Sequence, residues 1–103
     1  METAGSKLRE LRQERGFSLQ EVSSVIDVDI AILSKMERGE RKLSREVLEK
    51  LADLYKYDLK ELLVLFLSDR ILYEIKDEEV GEEALKVAEE KIRYLKNHPK
   101  DAH

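Results

Sequence analysis

Cysteine is absent from the 103-residue chain, which excludes disulfides, thiolate metal sites and cysteine nucleophiles together and suits a reducing compartment. Proline occurs once and glycine four times, too few for a turn-dense β fold or a linker-rich disordered chain. Aromatic residues make up 6% of the chain and tryptophan is missing, so a core has to be built from Leu, Ile and Val. Long hydrophobic runs are missing too. The longest, Leu62 to Leu67, falls far short of the roughly 20 residues a membrane-spanning helix needs. The opening METAGSKL lacks an apolar signal core. These absences predict a cytoplasmic location and no membrane partner.

Chemistry-bearing constellations are also scarce. His98 and His103 sit in a short C-terminal tail without companions at metal-ligand spacing, and the acids of DEEVGEE, Asp77 to Glu83, read as a solvated linker. No nucleophile is paired with a base, and no phosphate loop or cofactor motif occurs. The expectation is therefore no enzyme, no catalytic residue, no metal, no cofactor and no small-molecule ligand.

What is present is 42% hydrophobic and 41% charged residues in a chain of one domain's length, with room for an appendage but not for a second large core. The net charge of −4 argues against a polyanion as partner until its distribution is read. Residues 1–45 carry nine Lys and Arg against eight acids, a balance of +1, whereas residues 46–103 carry ten against fifteen, a balance of −5. Any nucleic-acid contact belongs to the first half.

Periodicity and caps predict an all-α fold. Ser6 can cap a first helix over about Lys7 to Arg15, with Leu8 and Leu11 inward and Gly16 beyond its end. Ser18-Leu-Gln-Glu21 is a capping box for a short second helix whose apolar side is Leu19, Val22 and Ile26. Asp27-Val28-Asp29 breaks the pattern, and Asp29 caps a third helix, Ile30 to Arg38, that turns Leu33 and Met36 inward and ends at Gly39. Ser44 caps a fourth helix, Arg45 to about Tyr55. Asp58 starts a fifth, predicted to continue through Ser68 to about Lys76, with a fresh helix capped by Ser68 as the alternative, and Glu82 to Asn97 forms a last amphipathic helix. The corresponding units are 5–67, a helical domain; 68–97, a C-terminal helical extension; and 98–103, a flexible tail.

Two short helices joined by a turn of three or four residues inside a bundle form a helix-turn-helix, whose second helix enters the major groove. Leu8-Arg-Glu-Leu-Arg12, the Ser18 to Glu21 start, Val28 in the turn, LSKMERGER from Leu33 to Arg41, and Leu51-Ala-Asp-Leu54 with Leu62-Leu63 resemble the phage Cro and repressor, or XRE-type, family over Lys7 to Leu63. That resemblance implies a five-helix Cro/repressor-like domain, here with an extended fifth helix and an additional C-terminal amphipathic helix. It also implies that the third helix reads DNA. With Leu33 and Met36 inward, the residues facing out are Ile30, Ala31, Ser34, Lys35 and Arg38. Ile30, Ala31, Ser34 and Lys35 are the base-reading candidates, and Ser18, Arg38, Arg41, Lys42, Ser44 and Arg45 the phosphate-contact candidates. Arg12 and Glu37 match the family's structural ion pair between the first and third helices.

The chain departs from the family pattern in four places. Leu19 stands where the family often carries a phosphate-contacting Gln, Asp27 replaces the usual turn glycine, Lys56 occupies a common glycine position, and Ile30 and Ala31 replace polar base readers. Apolar groups read thymine methyls, so the last change favours an A·T-containing site.

From Leu62 to Leu67 every residue is apolar, leaving no polar face on that stretch. The stripe that follows is either a private core or a homodimer interface. The dimer is the expectation, built from Leu65, Leu67, Ile71, Leu72, Ile75, Leu85, Ala88, Ile92 and Leu95. The functional expectation is a sequence-specific double-stranded-DNA-binding transcriptional regulator, a repressor on a pseudo-palindromic operator. Its rival is an antitoxin-like or other protein-interaction module on the same fold with little specific DNA readout.

Overall fold

The structure is a computed structural model that describes residues 1–101; His103, part of the expected tail, lies outside the described residues. Among the described residues six helices follow in order: α1 (Ala4–Glu14), α2 (Leu19–Ile26), α3 (Ile30–Glu37), α4 (Arg45–Tyr55), α5 (Leu59–Ile75) and α6 (Gly81–Asn97), then a 3-10 turn, Pro99–Asp101. No strand occurs among the described residues, and the all-α architecture is the expected one. The described residues divide into two compact units, Met1–Arg70 and those from Ile71 onward.

Local chemistry places most helix ends. Ser18 and Ser44 accept from the third backbone N–H of α2 and α4, at 3.1 Å in each case, and Asp29 accepts from Ala31 and Ile32. Gly39 ends α3 at φ 76°, where Glu40 N–H donates to Lys35 O (2.8 Å) and Gly39 N–H to Met36 O (3.2 Å), the paired bonds of a Schellman end. Lys56 closes α4 in the same left-handed region at φ 52°, the conformation its place in the family pattern demands.

α1 begins earlier than the spacing of Leu8 and Leu11 implies. Thr3, not Ser6, is its cap, and Ser6 supplies the returning half of the capping box by accepting from Thr3 N–H at 2.8 Å. The Thr3 hydroxyl in turn accepts from Ser6 N–H at 3.1 Å, and a tertiary contact adds to this local box. The first free donor of the helix, Ala4 N–H, is taken by Asp69 Oδ2 of α5 at 2.9 Å, a partner 65 residues away that no local pattern announces. Gly81 differs as well. Read as linker, it is the buried first residue of α6, and a Cβ there would stand 2.6 Å from Ile75 O.

The core of the first unit gathers Leu8 and Leu11 of α1, Val22 and Ile26 of α2, Leu33 and Met36 of α3, Val47, Leu48, Leu51, Ala52 and Tyr55 of α4, and Leu62 of α5. α5 runs unbroken through Ser68. Within its apolar run, Leu62 is buried and Leu63, Leu65 and Phe66 are half-buried, while Val64 and Leu67 face solvent.

The Tyr55 hydroxyl is buried and finds no hydrogen-bond partner among the described residues. Burial, and then the charge of Glu37, pushes its phenol up to about 12, against about 10 in an unfolded chain. Above pH 10 the unfolded chain releases this proton first. Stability contributed below that pH is therefore lost as pH rises towards 12. Tyr55→Phe is expected to leave stability at neutral pH unchanged or raise it by up to about 1 kcal/mol. It should also flatten this alkaline decline, as read by urea midpoints of both chains across pH 8 to about 12.

Candidate nucleic-acid interface

The helix-turn-helix is set up by a two-sided cap. Ser18 N–H donates to Glu21 Oε1 at 2.9 Å while the Ser18 hydroxyl accepts from Glu21 N–H. The first of these bonds holds the Glu21 carboxyl below the usual carboxylate range. Asp27 ends α2 in the left-handed region at φ 56°, a conformation that Asp tolerates better than most residues. The three-residue turn Asp27–Asp29 is then tied back to α2, because Val28 N–H donates to Ser23 O and the Ser23 hydroxyl donates to Val28 O. Val28 is half-buried on the core. Asp29 starts α3.

α3 is anchored at its far end by charge. Arg12 Nε lies 2.8 Å from Glu37 Oε2 and Arg12 Nη2 3.2 Å from Oε1, a two-point fork, and Nη1 donates to Phe17 O at 3.0 Å. Glu37 is only 6% exposed. The pair joins α1 to α3 and fixes which faces of α3 turn out.

On the outward side, Ile30, 44% exposed, leads Ala31 and Lys35, both exposed, with Ser34 half-buried between them. Arg38 is exposed at the end of the helix, with Nε 2.9 Å from a Glu40 carboxylate oxygen. Arg41, Lys42 and Arg45 are exposed in and after the loop that follows, and Ser18 and Ser44 are exposed caps. The base-reading candidates therefore share one helix, and the cations Arg38, Arg41, Lys42 and Arg45 lie along its C-terminal end, the loop and the amino end of α4. The Arg38 to Glu40 pair was not foreseen, since loop residues carry no periodicity. Val25 was also missed: it is an apolar residue on the solvent side of α2, outside the Leu19, Val22, Ile26 stripe. Its apolar character was the available signal.

Comparison with known proteins follows this geometry. A family model described as helix-turn-helix matches residues 8–62. The chain is 40% identical over 57 residues to the HTH-type transcriptional regulator DdrOP3 of Deinococcus deserti, an alignment covering 55% of this chain and 44% of that protein. The chain thus spans less than half the length of that relative. Among solved structures it resembles the clp gene regulator ClgR from Corynebacterium glutamicum, with TM-score 0.56 and 26% identity over 89% of this chain and 85% of that one. It also shares the fold of a hypothetical protein from E. coli, at TM-score 0.64 and 22% identity over 82% and 87% of the two chains.

Proposed function

This chain belongs to the XRE-type helix-turn-helix family, and we propose that it is a sequence-specific transcriptional regulator of double-stranded DNA, a repressor that occupies a pseudo-palindromic operator as a homodimer. The observation that carries this reading is α3, braced from behind by Arg12 and Glu37, with Lys35, Ser34, Ala31 and Ile30 set along its outward side. In the major groove Lys35 donates to guanine O6 or N7, Ser34 donates or accepts, and Ile30 and Ala31 pack on thymine methyls. Ser18, Arg41, Lys42, Ser44 and Arg45 hold phosphates. Arg38 joins them by leaving Glu40, at little cost for an exposed pair.

The homodimer is supported by the apolar residues that a single chain leaves in water, among them Leu67, Ile71, Leu72, Leu85, Ile92 and Leu95. A two-fold pair places its recognition helices about 34 Å apart, in successive major grooves. Steric occupancy of a promoter then represses transcription. No helix among the described residues is long and apolar enough to cross a membrane.

The test is titration against the DNA upstream of its own gene and a scrambled duplex at two salt concentrations. Preference for the first, with affinity falling about a thousandfold or more between roughly 50 and 200 mM salt, is expected of a dimer making several phosphate contacts. Lys35→Ala should cost about 1–3 kcal/mol and relax base preference at its contact, while Arg41→Ala should weaken all sequences alike and reduce the salt slope by about 1. The second reading, a protein-interaction module, draws on the exposed apolar Val25 and Ile30 and the net charge of −4. Equal, weak binding to both duplexes would favour it.

A further inference from the structure

α6 carries an apolar seam that the chain leaves in solvent. Leu85, Ala88, Ile92 and Leu95 recur at steps of three, four and three, the a and d spacing of a coiled coil, and all four are exposed, Ile92 at 55%. Helices in proteins draw most of their stability from packing such a face. We infer that its cover is α6 of a second copy running antiparallel. The inference rests on the homodimer reading and specifies that dimer's seam.

Charge argues for the direction. Before Lys91 the helix holds Glu82, Glu83, Glu89 and Glu90 against Lys86 alone; from Lys91 onward it holds Lys91, Arg93 and Lys96 and no acid. The sign changes in the middle of the helix. Alignment with the helix's own dipole explains the first and last turns only, so Glu89, Glu90 and Lys91 need another account. Two copies side by side in parallel would set acid against acid and base against base. Antiparallel copies set each acidic half against the other's basic half.

Size argues for the same direction. With the two-fold axis beside residue 90, Leu85 meets Leu95 of the second copy and Ala88 meets Ile92, so that the small Ala88 is always filled by a large partner. A parallel pair stacks Ala88 on Ala88 and leaves that layer thin. The interface is isologous either way, so a palindromic operator is compatible with it.

The absence of cysteine gives a clean experiment on the full chain. Leu85→Cys and Leu95→Cys are made separately, shown to sediment as dimers, and oxidised alone and mixed. Neither variant should cross-link alone, and the mixture should yield a disulfide-linked dimer. Cross-linking of either variant alone would overturn the antiparallel pairing and leave the dimer standing. A dimeric chain that cross-links in no combination would place the seam elsewhere and overturn it equally. A native chain that sediments as a monomer at micromolar concentration would overturn the dimer and the seam together.

A second variant needs no thiol. Changing Glu82, Glu83, Glu89 and Glu90 to Lys, with Lys91, Arg93 and Lys96 to Glu, should give a chain that pairs with itself but is excluded from dimers with the native chain. Preferential mixing of the two would overturn the proposal.

Discussion

Glu37→Ala is expected to destabilise the first unit by about 3–5 kcal/mol, the range for breaking a buried ion pair by removing one partner. Its carboxylate is almost fully enclosed and receives two guanidinium donors of Arg12, whose side chain is itself only 11% exposed. The hydrogen bond to Glu37 is the largest influence holding the Arg12 guanidinium in its charged form. Deleting the carboxylate strands that charge against Phe17 O as its remaining acceptor. A small domain has about 5–15 kcal/mol in total, so the loss should appear as a large drop in urea midpoint. Because Glu37 is the last residue of α3, DNA affinity should fall with it. Removing both charges together, as Arg12→Met with Glu37→Leu, should recover much of the stability, because two apolar groups leave no unpaired charge. A single variant as stable as the native chain would show that water reaches this pair.

The elements that sequence alone resolved are those whose determinants lie within four residues. Ser18 with Glu21, Asp29, Ser44 and Asp58 each begin a helix by satisfying a nearby N–H, and Gly16 and Gly39 end one at positive φ. The inward set Leu33 and Met36 follows from the 3.6-residue period, and Arg12 with Glu37 came from the resemblance. Much of what stayed hidden depends on chain meeting chain. The start of α1 at Thr3 rests on a local box with Ser6, which the spacing of Leu8 and Leu11 does not reveal, and on Asp69 of α5, which takes Ala4 N–H. Gly81 looked like linker because its role, a close approach to Ile75 O, leaves no periodic trace. In the candidate interface the outward residues were legible from helical phase, whereas the half-burial of Ser34 and the pairing of Arg38 with Glu40 depend on how α3 and its loop settle.

Gly5→Ala is the second large effect, and its sign is decided by packing rather than by helix propensity. On propensity alone the change should stabilise α1 by up to about 1 kcal/mol. Gly5, however, is buried where α1 crosses the end of α3, and a Cβ there would stand 2.5 Å from Met36 O and 2.8 Å from Glu37 O. Both neighbours are backbone atoms, so no side chain can swing aside. Either the first turn of α1 lifts or the last turn of α3 moves. Lifting α1 also draws Ala4 N–H away from Asp69, a bond of 2.9 Å, worth about 1 kcal/mol net. Together with an overpacking penalty of about 1–3 kcal/mol, this should outweigh the gain in propensity and leave a net loss of roughly 1–3 kcal/mol in urea unfolding. The atoms that the added methyl meets belong to Met36 and Glu37, the two residues that seat α3 in the core and on Arg12. The same variant should therefore also weaken binding to its DNA site beyond what lost stability explains, measured at a temperature where the chain is fully folded. A variant more stable than the native chain would mean that α1 and α3 do not approach this closely, and the brace behind α3 would have to be sought elsewhere.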